Sequence, residues 1–340
     1  MKYTVGLGDL LASFTPIGYE RFIQASEFKV TYTGAEANVL GSLANFGLKT
    51  RFVCRVPENE IGSAAIRYLN SFGIDTQHIV RGGKRLGVLY MEKGASQRPS
   101  KVIYDRHHSG ICEAVPEDFD FDGIFEDADW FHFTGITPAL SESLAETVKT
   151  ACIEARKKGC TISCDLNYRK NLWTQEEAKK VMEPLLEYVD VLIANEEDVE
   201  KVLGIKSAGT DVEHAQLNHE GYIDVAKQLT EKYHLKAVAT TLRESISASV
   251  NNWSALLYKE GQAYMSKKYQ IQIVDRVGGG DSFSAGLIYA MQNKMENQQA
   301  LEFATAASCL KHTIEHDYNM VTVAEVEALM NGQENGRVQR

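Results

Sequence analysis

Residues 274–290, VDRVGGGDSFSAGLIYA, set three glycines in front of an aspartate and then run into a helical pattern. Glycine lacks a Cβ, so other groups can approach its backbone closely. Gly278, Gly279 and Gly280 would expose several N–H donors at a helix start, where the helix dipole adds partial positive charge. That is an anion site, most often for phosphate. The helix is plausible because Phe283, Leu287 and Ile288 share one face. Asp281 has two readings. It can cap the helix. Alternatively, because a carboxylate beside an anion is repelled, it can be there to take a substrate proton.

Arg106, in IYDR, and Arg169, in LNYR, each end a strand-like run, where side chains can point into a cleft. The planar guanidinium fork suits a carboxylate. Taken singly, each reads as a surface ion pair, with Asp105 and Asp165 close in sequence. NEED (195–198) supplies acids that could serve a cation, and taken alone it reads as a helix start with acids in its first turn. Tyr90 and Tyr104 could cover a bound substrate or simply pack a sheet. His107 and His108 are neighbours, so on a strand they would point oppositely, which argues against a shared metal.

Stepping outward from these residues, strand-like and helix-like segments alternate. Strands are expected at 50–56, 128–135, 160–167 and 235–242, and 189–198 reads as a strand running into a helix. Helices are expected over 59–73, from Ser141 to about Lys158, and over 221–233. This predicts a doubly wound, mostly parallel α/β sheet flanked by helices. Residues 14–33 and 85–106 carry short alternating runs with no long helix between them, and are expected to form a small β-sheet lid. Residues 245–274 also look antiparallel. A single domain is expected over 1–330, followed by a polar, frayed tail at 331–340.

The chain has 340 residues, 44% hydrophobic and 24% charged, with a formal net charge of −10. No basic stripe suggests nucleic acid and no apolar run of about 20 residues suggests a membrane span. The N-terminus reads as a first strand rather than a signal peptide. Six cysteines without a zinc spacing read as reduced thiols in a cytoplasmic protein.

DRVGGGDSFSAG resembles the second signature of the ribokinase-like (PfkB) sugar kinases, usually D-T-x-G-A-G-D-x-F. Arg276 stands for the Thr and Gly279 for the Ala. The resemblance implies that Gly278, Gly279 and Gly280 are the anion hole for the transferred γ-phosphate of ATP and that Asp281 is the base. It covers nearly the whole chain. GLGDLLASF looks like the opening strand, with Asp9 near the sugar. TGAEANVLGSLANFG (33–47) is similar to the first signature, in which Gly34 and Asn38 would line the sugar pocket. CDLNYRKNLW (164–173) matches D-x-N-x-R-x-x-L-W and brings in Asn167. ANEEDVEKVLG matches the N-x-x-E segment near magnesium and phosphate. Here Asp198 replaces the Glu, and contacts to Mg²⁺ from Asn195 and Asp198 are expected through water. TTLRES (240–245) replaces a G-x-x-G nucleotide loop, so Thr241 and Arg243 are the expected ATP contacts. Thr305 takes the place of an adenine-side Asn, and Asp317 becomes an acceptor for a sugar hydroxyl. A monovalent cation could act through the loop at Asp275, and the lid strands could pair in a homo-oligomer.

Within that family the chain is most similar to the branch acting on 2-keto-3-deoxygluconate, where arginines matching Arg106 and Arg169 bind the sugar acid. A fructokinase would not need both. A dinucleotide-binding oxidoreductase is disfavoured, because GLGDLL lacks the third glycine and the following acid. A silent sugar sensor would have no need of Asp281 as a base.

Overall fold

The chain opens on strand β1 (Tyr3–Leu7), whose last four residues are buried. In the computed structural model, which describes residues 2–195, 197–205 and 219–333, the next strands, β2 (Leu11–Pro16) and β3 (Phe28–Thr33), leave for a separate small sheet. Helix α1 (Ala35–Asn45) returns the chain to β4 (Lys49–Val53), parallel to β1. The short pair β5 (Arg55–Val56) and β6 (Val80–Arg81) brackets helix α2 (Glu60–Asn70). Strands β7 (Gly87–Glu92) and β8 (Lys101–Asp105) complete the small sheet in the order β3-β2-β7-β8.

Alternation follows: α3 (Phe121–Phe125), β9 (Ala128–Thr134), α4 (Glu142–Lys157), β10 (Thr161–Asp165), α5 (Gln175–Leu186), β11 (Val191–Asn195), α6 (Asp198–Leu203), α7 (His219–Tyr233) and β12 (Ala237–Ser245). The antiparallel strands β13 (Val250–Lys259), β14 (Gln262–Met265) and β15 (Tyr269–Gln272) come next. Helices α8 (Gly279–Gln292), α9 (Asn297–Lys311) and α10 (Val323–Met330) close the described chain. The main sheet runs β14-β13-β12-β11-β10-β9-β1-β4, with β15 also on β13. It is parallel from β4 to β12 and antiparallel beyond.

The main sheet is covered on both faces. Ile162, Ser163 and Cys164 of β10 are consecutive and wholly buried, and successive strand side chains point oppositely. Helix α4 packs on β9 and β10, α1 on β1, β4 and α8, and α7 on β12 and β13. The sequence explains α4 locally. Ser141 accepts the Leu144 N–H as its cap, Arg156 and Lys157 sit in the last turn, and Leu144, Val148, Ala151, Cys152 and Ala155 form one buried stripe.

The α/β sheet with its small companion sheet is the architecture that the alternation predicted. One segment differs. TTLRES is not a loop but the end of β12, paired with β13 as far as Ser245 opposite Asn251. It contains no glycine or proline to stop the strand. The tail expected at 331–340 lies, from residue 334 on, outside the described residues. Among the described residues no helix is long and apolar enough to cross a membrane, and all six cysteines are free thiols.

Strand β1 lies between β4 and β9, so the chain winds to one side of β1 and then to the other. In open parallel sheets this switch opens a crevice at the carboxyl ends of the strands. The small sheet stands over that crevice.

Candidate active site

The crevice is a cleft of about 540 Å³, within the range of small-molecule sites. Its floor is made by strand ends: Asp9 after β1, Ile136 after β9, Asn167 after β10, Asn195 at the end of β11, and Thr241 and Arg243 on β12. The turn Gly278–Asp281 forms one wall. Leu89, Met91, Val102, Tyr104 and the adjoining Arg106 come from the small sheet side.

Gly278 is the N-cap of α8, with φ 73°, and a side chain there would also collide with the Asp317 carbonyl. Only glycine tolerates both conditions. Gly279 and Gly280 are already helical. The first intrahelical bond runs from the Ser282 N–H to the Gly278 carbonyl, 2.9 Å, so the N–H groups of Gly279, Gly280 and Asp281 precede it and have no partner within the helix. Gly280 faces open space, whereas a Cβ at Gly279 would meet the His312 ring. The glycine run thus answers two demands. Gly278 sets the turn and Gly279 fits His312, while Gly280 keeps the entrance to the N–H groups clear.

Asp281 is the third residue of α8, not its N-cap. Its Oδ2 accepts from Asn38 Nδ2 at 2.8 Å, and Asn38 Oδ1 accepts from Thr33 Oγ1 at 3.1 Å. Asn38 lies one turn into α1, whose N-cap Gly34 has no room for a side chain against the Asp9 carbonyl. Burial raises Asp281 to about 6, while the Asn38 bond, Arg169 and Lys311 hold it down.

Asp165, Asp198 and Asp317 share the cleft with Asp281. Asp165 is pushed up to about 8 by burial and by the charges of Asp198 and Asp281, and Arg169 draws it back. Asp198 is raised to about 6 by burial against the pull of Arg169. Asp317 is raised to about 6 by burial, against the pull of Lys311. Asn195 Oδ1 accepts the N–H groups of Glu197 and Asp198 at 2.9 Å each, and Asn195 Nδ2 donates to Asp198 Oδ2 at 2.9 Å. This Asx turn starts α6 and fixes the Asp198 carboxyl. Burial at both carboxyls, and the charge of Asp198 at Asp165, oppose their ionisation, and a divalent cation would relieve that opposition. Among the described residues no three His, Cys, Asp or Glu side chains are placed to hold an ion together. Carboxyl and amide oxygens are the donor types magnesium takes, largely through its waters.

Arg106 and Arg169 both line the cleft, and neither makes a simple surface pair. Asp105 pairs with Arg85 at 2.8 Å instead. Arg106 is buried, with Nη1 3.3 Å from Asp9 Oδ2 and its guanidinium over the Tyr104 ring at 4.3 Å. Within the described residues Arg106 Nε and Asp9 Oδ1 are buried without a hydrogen-bond partner. A donor and an acceptor left open side by side suit a polar ligand. Arg169 is half-buried and donates to the Tyr168 carbonyl at 3.2 Å.

Two expected residues do not reach the cleft. Tyr90 follows Leu89 on β7, and alternation turns it to the outer face of the small sheet. Its ring lies 5.6 Å from Phe14 and 6.4 Å from Phe28. Leu89 takes the inward place. Thr305 is wholly buried within α9, where its hydroxyl donates to the Leu301 carbonyl. Asp165 and Glu36 line the cleft unforeseen. Asp165 stands two residues before Asn167 in CDLNYRKNLW, where its closeness to Arg169 gives it the look of a counter-ion. Glu36, in TGAE, is raised to about 7 by burial, and its Oε1 accepts from the Thr134 N–H and hydroxyl and the Thr137 hydroxyl.

These acids carry a consequence for stability. In the unfolded chain carboxyls ionise near 4. Folded Glu36, Asp165, Asp198, Asp281 and Asp317 keep their protons to about 6–8. The folded state then binds more protons than the unfolded state, and stability falls as pH rises through those values. His132 and His312, lowered by burial to about 3 and about 4, act oppositely, but only up to roughly pH 6.5, where an unfolded imidazole loses its proton. Calorimetry of the ligand-free protein should therefore show Tm falling from pH 7 to 8, by roughly 2 °C for each kcal/mol lost in a chain of this size. A Tm that climbs over that range would contradict the buried-acid picture.

Comparison with known proteins places this geometry in context. The pfkB family carbohydrate kinase model matches residues 1–321. The crystal structure of a 2-dehydro-3-deoxygluconokinase from Thermotoga maritima is 51% identical, with a TM-score of 0.94, covering 97% of this chain and 98% of that one. A 2-dehydro-3-deoxygalactonokinase from Haloferax volcanii is 30% identical over 332 residues, 98% of each chain. A 2-dehydro-3-deoxygluconokinase from Thermoproteus tenax is 27% identical, covering 90% of this chain and 87% of its own.

Proposed function

The chain belongs to the pfkB family of carbohydrate kinases and is a sugar kinase, and from that premise we propose that it phosphorylates 2-keto-3-deoxygluconate on its terminal hydroxyl, using ATP. The observation that carries the sugar acid is the pair Arg106 and Arg169, two guanidinium groups in one cleft with Asp281. A neutral sugar offers them no negative charge to pair with. The T. maritima relative bears the name of this activity.

The reaction uses residues from several elements. Asn38 orients the Asp281 carboxylate. Asp281 takes the proton from the sugar hydroxyl as that oxygen forms its bond to the γ-phosphorus and the bond from phosphorus to the ADP oxygen breaks. The free N–H groups at Gly279 and Gly280, behind the Gly278 turn, face the charge on the transferring group. Asp9, Gly34, Asn38, Tyr104 and Asp317 bound the sugar end. Asn167, Asn195, Thr241 and Arg243 bound the nucleotide end. Asn195 and Asp198, with Asp165 beside them, would hold magnesium through its waters, and the ion would neutralise phosphate charge.

The H. volcanii relative, named for the galacto epimer, supports a second reading in which the C4 configuration is inverted. A coupled ADP assay on both epimers and on fructose tests the proposal. The expected order puts the gluco acid first, the galacto acid second and fructose far behind. A preference for fructose would overturn the sugar-acid reading, and an excess of the galacto acid would favour the second.

The outer face of the lid supports a homo-oligomer. Val30, Phe14, Tyr90 and Ile103 stand in register across its four strands, next to Phe28. Phe28, Val30 and Ile103 are exposed, and a row of this kind normally meets a partner. The expected partner is a second copy of the chain. Light scattering should report a dimer or larger, and Phe14→Asp should dissociate it. A monomeric wild type at micromolar concentration would rule this out.

A further inference from the structure

Lys311 ends α9 and is wholly buried. An isolated ammonium in that position would give up its proton. Burial does pull Lys311 down, and Lys93 adds to that pull, but Asp275, Asp317 and Asp281 all act to keep it charged. Its Nζ donates to the Ile314 carbonyl at 3.1 Å.

The segment so braced, 312–317, runs behind the anion site. The His312 carbonyl accepts the Val274 and Asp275 N–H groups at 2.9 and 3.2 Å. Asp275 Oδ2 accepts the His316 N–H at 3.1 Å and lies 3.7 Å from Lys93 Nζ. The Asp317 carbonyl sits against Gly278. Segment, Asp275 and glycine turn are therefore tied to one another, and the charges of Asp275, Asp317 and Asp281 favour the Lys311 ammonium.

The sequence raised a dissolved monovalent cation acting at Asp275. We propose that Lys311 is a positioning residue whose ammonium is the built-in cation of this loop, drawing Asp275 and 312–317 together behind the Gly278 turn, so that turnover needs no dissolved monovalent cation. The proposal rests on the kinase reading. It adds that the charge organising the N–H groups belongs to the chain itself.

The test measures kcat at constant ionic strength in choline chloride, with K⁺, Na⁺ or NH₄⁺ then substituted. Wild-type kcat should stay within about twofold across the series. Lys311→Met should lose about 10-fold or more, because a displaced anion site costs rate steeply, and K⁺ or NH₄⁺ should restore part of that loss in a saturable way. A residue that merely filled space would show no such rescue. Activation of the wild type by K⁺ of about fivefold or more would overturn the proposal, and so would a Lys311→Met enzyme with unchanged kcat or with a loss that no cation repairs. Should Lys311→Met fail to fold, the wild-type series still decides. A wild type without turnover on any sugar refutes the kinase reading instead.

Discussion

Replacing Asp281 with asparagine will lower kcat by about 10²-fold or more while leaving ATP affinity and Tm close to wild type. The substitution keeps the shape of the side chain and removes only its capacity to take a proton. The introduced amide can still offer its oxygen to Asn38, which donates to Asp281 at 2.8 Å. Removing a buried charge does not cost stability here, because burial already disfavours the ionised form and raises it to about 6. The wild-type rate should climb with pH through about 6, as Asp281 loses its proton, and then level off. The residual rate of Asp281→Asn should lack that climb. Single-turnover kinetics across pH 5–8 and titration with ATP would check both parts. Near-wild-type kcat in the variant would reduce Asp281 to a structural residue of the first turn.

Arg106→Ala should raise KM for the sugar acid about 10- to 100-fold, since a charge-assisted hydrogen bond contributes about 1.5–3 kcal/mol. Fructose should lose far less. The geometry makes Arg106 the cleaner probe of the two arginines. Its partners are Asp9 and the Tyr104 ring, both on the sugar side. Arg169 instead also pulls down Asp165, Asp198 and Asp281, so its loss should disturb KM and the pH dependence of kcat together. Arg106→Lys keeps a positive charge beside Asp9 and removes the planar fork. An intermediate KM for the acid would separate charge from fork geometry. An equal loss of kcat/KM on acid and fructose in Arg106→Ala would mean that Arg106 only supports Asp9, and the carboxylate reading would fall.

The main sheet was legible because its signal is local and repeated: each strand and each helix carries its own period and its own turn residues. The glycine turn was legible for the same reason, since GGGD is a short run with one backbone meaning. What escaped the sequence depends on parity, phase or distance. Tyr90 and Leu89 are adjacent, so a shift of one residue in strand register exchanges which of them faces the cleft. Thr305 lies on a helix buried all round, where no polar stripe reveals the phase. TTLRES has the composition of a strand, and only the resemblance suggested a loop. Nothing in the sequence singles out Lys311, because a lysine at a helix C-terminus is ordinary and Asp275 and Asp317 are brought near it only by the packing of α9 behind the turn.

The lid is made from two excursions of the chain, 11–33 and 87–105, each leaving and rejoining the body beside the same cleft. In evolutionary terms it is a cassette. Its inward side chains, Leu89, Met91, Val102 and Tyr104, can drift without altering the register of any strand in the large sheet. The acids and the glycine turn have no such freedom, since each is set at the end of a strand or helix locked between neighbours. Substrate range is therefore the character that descent can revise quickly, and phosphoryl transfer the one it must inherit whole. That asymmetry follows from topology, before selection has acted on any residue.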